Sequence, residues 1–147
     1  MDLLSDLIKE PQLAPLKYRV SASLVDFLGL FIVSYIMMHF WGESYTDGDV
    51  TGVRISGLPG LVLFLFGVGL IPIQEGLTGR TIGKRIVKIK VLKEDFSDIS
   101  LGSSIIRHLF DVIDMFFLVG LIVASTNLKK QRIGDLVAKT IVVIDED

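Results

Sequence analysis

Two sets of charged residues stand in apolar stretches of this 147-residue chain, and they are where chemistry should be sought. Asp26 lies about a third of the way into the run VSASLVDFLGLFIVSYIMMHFW. An ionisable side chain inside an apolar helix of membrane length costs at least a few kcal/mol unless it is paired or used. A carboxylate at such depth binds a dehydrated cation, or titrates near neutral pH once desolvation raises its pKa. The second set is a stripe, Ser103, Ser104, Arg107, Asp111 and Asp114, whose three- and four-residue spacings put it on one face of a helix. Arg19 precedes Asp26 by seven residues, about 10.5 Å of helical rise, which is too far for a comfortable pair within one helix. Water or a base from the later stripe, Arg107 foremost, is therefore the expected partner of Asp26. Within the stripe, Asp111 and Asp114 at i+4 and i+7 also suit local pairing with Arg107 on a solvated interfacial face.

Other chemistry is poorly provided for. Cysteine is absent and the two histidines, His39 and His108, are isolated and flanked by apolar residues, so no metal site, cofactor or thiol chemistry is expected. The segment GRTIGKR has the outline of a phosphate-binding loop, but its glycines are one residue too close and Lys84 is followed by Arg85 rather than Ser or Thr. It also follows an apolar helix rather than a strand. No nucleophile, base and orienting acid can be assembled, so the chain is not expected to be an enzyme. No basic tail invites nucleic acid.

The elements that carry these residues are set by hydropathy. Half the residues are apolar and the mean hydropathy is +0.60, an excess gathered into three blocks. Residues 20–41 and 55–74 each approach the roughly 20 residues that cross a ~30 Å hydrocarbon core, which predicts two transmembrane helices. The loop between them holds Glu43, Asp47 and Asp49 against Arg54 and reads as the outer face. Bases gather after the second block, at Arg80, Lys84, Arg85, Lys88, Lys90 and Lys93, so that loop is expected in the cytoplasm, with both termini. There the alternation in RIVKIKVLK and the run TIVVI predict a small two-stranded element over residues 86–93 and 140–144. The third block, 102–126, is amphipathic and then apolar, and Lys129, Lys130 and Arg132 follow it. The charge rule favours an interfacial helix with a re-entrant segment over a third span. Residues 1–16, with Leu3, Leu4, Leu7 and Ile8 at helical spacing, suit a short surface helix as well as a frayed terminus. They are too polar for the core of a signal peptide, so the first apolar block is expected to be retained.

The order of Arg19 heading a helix, Asp26 within it, then GRTIGKRIVKIKV, SLGSSIIRHLFDVID and KKQRIGDLVAKTIVVI resembles the RDD family, named for one arginine and two aspartates. The likeness runs from about Lys17 to Ile144, as a single domain covering nearly the whole chain. Arg19 and Asp26 match the first two signature positions, and Asp114 and Asp135 both fall where the second aspartate is expected. The resemblance implies a role in transport, with some members associated with sodium–proton exchange.

Residues and resemblance together lead to one expectation: an oligomeric inner-membrane subunit moving a monovalent cation or small solute. Arg19, Asp26, Arg107, Asp111, Asp114 and Asp135 are the candidate ion-binding or proton-relay groups. The alternative is a non-transporting scaffold. In that reading a basic patch of Arg80, Lys84, Arg85, Lys129, Lys130 and Arg132 meets lipid headgroups or a partner protein.

Overall fold

The computed structural model describes residues 11–111 and 119–145. Two long helices dominate it, α1 (Leu16–Trp41) and α2 (Gly57–Thr78), both long and apolar enough to cross a membrane. Their large side chains face outward, as at Phe31, Tyr35, Phe64 and Val68. Outward apolar faces of this extent on both helices point to a membrane-type α-helical protein. Pro15 fixes the entry to α1, and Gly42 ends it.

One end of the pair carries a hairpin that the sequence reading took for an acidic loop. Here β1 (Glu43–Asp47) pairs antiparallel with β2 (Val50–Arg54) across the two-residue turn Gly48-Asp49. The physical cause lies in the sequence: Asp-Gly-Asp supplies the positive φ of Gly48 (59°), and Tyr45, Thr46, Val50, Thr51 and Val53 suit extended backbone.

The other end holds everything else. Gly79 closes α2 in the left-handed conformation, and the chain re-enters a short helix, α3 (Ile82–Ile86), whose N-cap is Thr81. Strand β3 (Ile89–Lys93) follows, then α4 (Leu101–Leu109), a helix described over Val119–Thr126 (α5), α6 (Ile133–Ala138) and β4 (Thr140–Ile144). β3 and β4 pair antiparallel with Val91 opposite Val142, as the period-2 pattern predicts, though the paired region starts at Ile89 rather than at residue 86. Ile89, Val91 and Val142 pack with Ala14 and Ala22 into a small core that ties the sheet to α1.

The described chain begins at Pro11 and is not helical until Leu16. Leu13 and Ala14 are extended and add an edge to β4, with Ala14 N–H donating to Val142 O at 2.9 Å and Ile144 N–H to Gln12 O at 2.8 Å. Pro11 and Pro15 explain this, since Pro15 drives Ala14 out of the helical region. Leu3, Leu4, Leu7 and Ile8 lie outside the described residues. The third apolar block also divides: α4 is amphipathic as expected and packs on α2, while the link to α5 lies outside the described residues.

Short helices that share few side chains must approach closely. A Cβ at Gly83 would stand 2.1 Å from Ala22 O, one at Gly134 2.6 Å from Arg107 O, and one at Gly76 2.6 Å from Leu101 Cα. These contacts seat α3 on α1, α6 on α4 and α4 on α2. Gly83→Ala should therefore destabilise the protein by about 1–3 kcal/mol. Gly102→Ala, in α4 with nothing within 4 Å of the added carbon, should instead stabilise it by about 0.5–1 kcal/mol. Unfolding of the two variants in detergent measures both, and equal effects would refute the close-packing account.

Candidate functional site

Asp26 sits where α3 abuts α1. Its carboxylate accepts from the Thr81 hydroxyl at 2.6 Å and from the Gly83 N–H at 2.7 Å. Thr81 in turn accepts from Lys84 N–H at 3.2 Å, so the threonine both caps α3 and ties it to α1. In place of the expected pairing with Arg107, the partners of Asp26 among the described residues come from GRTIGKR. That segment is a helix–helix corner, with Gly79 turning the chain, Thr81 capping, Gly83 admitting α1 and Lys84 reaching inward.

Lys84 leads to the centre of the site. Its ammonium pairs with Glu75, a residue on the last turns of α2 with 0% exposure. The same carboxylate faces Arg107 Nη1 of α4 at 3.2 Å and His108 Nε2 at 3.4 Å, and the Ser104 hydroxyl donates to Pro72 O at 2.8 Å beside it. Arg107, also buried, bridges to a second buried acid, Asp135 of α6, with Nη2 at 2.9 Å from Oδ1. The other oxygen of Asp135 pairs with Arg19 of α1 and accepts from the Arg132 backbone N–H at 3.0 Å. Arg19 also donates to Lys130 O. Arg107 thus holds two buried carboxylates at once, and Arg19, Glu75 and Asp135 join α1, α2 and α6 through it.

A third acid, Asp111, stands nearer the surface and pairs with His108 Nδ1 and with Arg132 Nη1, the latter at 3.2 Å. Burial would raise Asp135, but the guanidiniums of Arg107, Arg19 and Arg132 outweigh it and hold the carboxyl well below the usual range. Burial lowers Lys84 far below an ordinary lysine, with the neighbouring charge of Arg107 adding to it. Burial also lowers His108, against the pull of Asp111. Asp111 is itself lowered, its desolvation being overcome by the hydrogen bond from His108.

Between α1 and the short helices lies a cavity of about 480 Å³ whose lining includes Arg19, Asp26, Lys84, Arg107, His108, Asp111 and Arg132. Four of the six expected ion-path residues, Arg19, Asp26, Arg107 and Asp111, meet there, and Asp135 stands behind them. Asp114 lies outside the described residues. The expected basic patch is divided. Lys84 turns inward to Glu75 because an unpaired buried carboxylate is far costlier than a buried pair, and Arg132 leans on Asp111. Arg80 pairs with Asp145 at 2.7 Å, and Arg85 and Lys129 are exposed. Lys130 contributes its carbonyl to Arg19.

The sequence reading missed Glu75 and set His108 aside as isolated among apolar residues. Glu75 was hidden by its place at the end of an apolar block, where charge is unremarkable. An acid leading straight into a base-rich loop was the available signal. Among the described residues no group of three or more acids and histidines is arranged to hold a metal ion.

The profile of the RDD family matches residues 13–139, most of the chain and all of the site just described. No curated protein and no solved structure matches the chain.

Removing a single acid from this network leaves buried guanidinium unpaired. Asp135→Asn, which strips the charge facing Arg19 and Arg107, should cost about 3–5 kcal/mol of stability. Because the folded carboxyl is held low, its contribution in the wild type is complete above about pH 4 and is lost as the pH falls below it. Thermal unfolding of wild type and variant from pH 3 to 7 measures both. A loss under about 1 kcal/mol would show that the pairs do not bear on folding.

Proposed function

We propose that this chain, which belongs to the RDD family, is a multi-pass membrane protein that works as a subunit of a proton-coupled transporter for a monovalent cation or small solute. The observation that carries the reading is the contact between His108 and Glu75. Nε2 and Oε1 stand 3.4 Å apart while Nδ1 is engaged by Asp111, and among the described residues Nε2 has no hydrogen-bond partner. A neutral imidazole donating to Asp111 presents a lone pair to a carboxylate, so two acceptors face each other unless one proton stands between them. A buried slot for a single proton, with Asp111 toward the cavity and Glu75 toward the interior, is a relay.

This moves the titrating role from Asp26 to His108. Asp26 already accepts two hydrogen bonds that seat α3, which gives it a positioning role.

The membrane setting follows from length and charge. At 26 and 22 residues, α1 and α2 extend about 39 and 33 Å, enough for a ~30 Å core. The bases concentrate at the sheet end, which we assign to the cytoplasm with both termini, leaving the β1–β2 hairpin outside. Two long helices enclose no path by themselves, so transport calls for a homo-oligomer or a partner membrane subunit.

One observation favours a second reading. The ion pairs set Arg19, Lys84, Arg107 and Arg132 against Glu75, Asp111 and Asp135, a close-knit cluster suited to a structural joint. In that reading the protein is a scaffold whose exposed bases, among them Arg85 and Lys129, recruit a partner.

Proteoliposomes carrying an internal pH dye separate the two. Wild type should move protons when a sodium or potassium gradient is applied, and His108→Gln should lower that flux at least tenfold while remaining folded. Asp26→Asn should lower flux only in proportion to the folded protein lost. Undiminished flux in His108→Gln would end the relay assignment, and no flux in the wild type would leave the scaffold.

A further inference from the structure

The cavity beside the network has two unlike walls. Along α1 it is lined by Leu16, Val20, Leu24 and Phe27, spaced along one helical face. Leu24 and Phe27 are 65% and 56% exposed, so this wall runs without a break onto the outer apolar surface of the helix. The facing wall presents Arg19, Lys84, Arg107 and Arg132. Their counter-charges are placed unevenly. Glu75 and Asp135, the acids that neutralise Lys84, Arg107 and Arg19, lie behind the cations and do not line the cavity.

Of the acids that do line it, Asp26 has its two oxygens taken by Thr81 and Gly83, and Asp111 is held by His108 and Arg132. Four bases line the cavity against these two acids, so its face is net cationic. Arg107, 1% exposed, makes ion pairs at 2.9 and 3.2 Å, but among the described residues none of its three guanidinium nitrogens completes a well-aligned hydrogen bond, and neither does Arg132 Nε. Buried guanidinium donors left in this state fit an acceptor with several oxygens.

We propose that this cavity is a binding site for one anionic phospholipid, its phosphate on the guanidiniums and its acyl chains along Val20, Leu24 and Phe27. Arg offers a planar fork of donors matched to phosphate oxygens, which the strongly hydrated ammonium of Lys does not. A volume of about 480 Å³ suits a phosphoglycerol headgroup and is too small for two acyl chains, which would leave over the open apolar side of α1. A free phosphate would use the cations alone and leave the apolar wall without a role, so the two-sided lining selects the lipid. The inference stands whether or not the chain transports.

The full-length protein, delipidated in a neutral detergent, tests it by native mass spectrometry and thermal unfolding with dioleoyl phosphatidylglycerol, dioleoyl phosphatidylcholine or inorganic phosphate. One phosphatidylglycerol should be retained per chain and raise Tm by several degrees, with no comparable effect of the other two. Arg132→Gln should weaken retention at least tenfold. Val20→Trp fills the apolar wall at a position 45% exposed, leaves the charge network untouched, and should weaken retention as much. It carries the test should Arg132→Gln fold poorly. Equal retention of phosphatidylcholine would reduce the site to ordinary lipid contact, and an equal Tm rise with inorganic phosphate would make it a free-anion site. Unchanged retention in Val20→Trp would place the lipid elsewhere, so each of these three results overturns the proposal.

Discussion

Glu75 and Asp135 are carboxylates closed off from solvent, and the folded arrangement around them follows from that constraint. Taking an ionised carboxylate out of water costs several kcal/mol even after relaxation, so each must be met by cations at contact distance. Arg107 serves both, and its two partners come from α2 and α6, so α4 has one position in which neither acid is left bare. Lys84 and Arg19 complete the two sets, which fixes α3 and α1 by the same requirement. Apolar packing would permit the short helices to slide; paired charge in low dielectric does not. Such a joint contributes less to net stability than to the choice of one arrangement over others.

The backbone has to allow this meeting. Four long side chains and their acids converge only where the helices that carry them nearly touch, and Gly83, Gly134 and Gly76 stand at the three touching points. The network and the glycines are thus two halves of one device: small residues bring backbone to backbone, and the charges fix the register. The β3–β4 sheet, extended by Leu13 and Ala14, closes the far side, with Gln131 donating to Glu94 and to Thr140 O across its edge. The same geometry turns cations toward a cavity and keeps two of their counter-charges behind. It also leaves His108 between two acids, Glu75 and Asp111.

Much of the frame was legible in the sequence, because it depends on local regularities. Runs of apolar residues of sufficient length marked α1 and α2, alternation marked β3 and β4, and the amphipathic spacing from Ser103 to Asp111 marked α4. The hairpin at Glu43–Arg54 was also written locally, in Asp47-Gly48-Asp49, but an acidic composition drew attention to the loop's charge instead of its turn. The family was visible because its signature residues keep their order along the chain.

Pairing was another matter. Arg19 and Asp135 are 116 positions apart, and the sequence pointed instead to Arg107 as a partner of Asp26 and to Asp111 and Asp114 as local partners of Arg107. Which carboxylate meets which guanidinium depends on how α3, α4 and α6 stack on α1 and α2, and that stacking is set by desolvation and close contact, neither of which has a period in sequence. So the sequence determined that this chain has two helices of membrane length, a small sheet and an unusual supply of charge in apolar company. The tertiary structure alone decided that Asp26 seats a helix, that Glu75 belongs to the site, and that Arg107 holds two acids together. Electrostatic pairing in a low-dielectric interior is a property of distances in space, and the chain's order does not encode them one residue at a time.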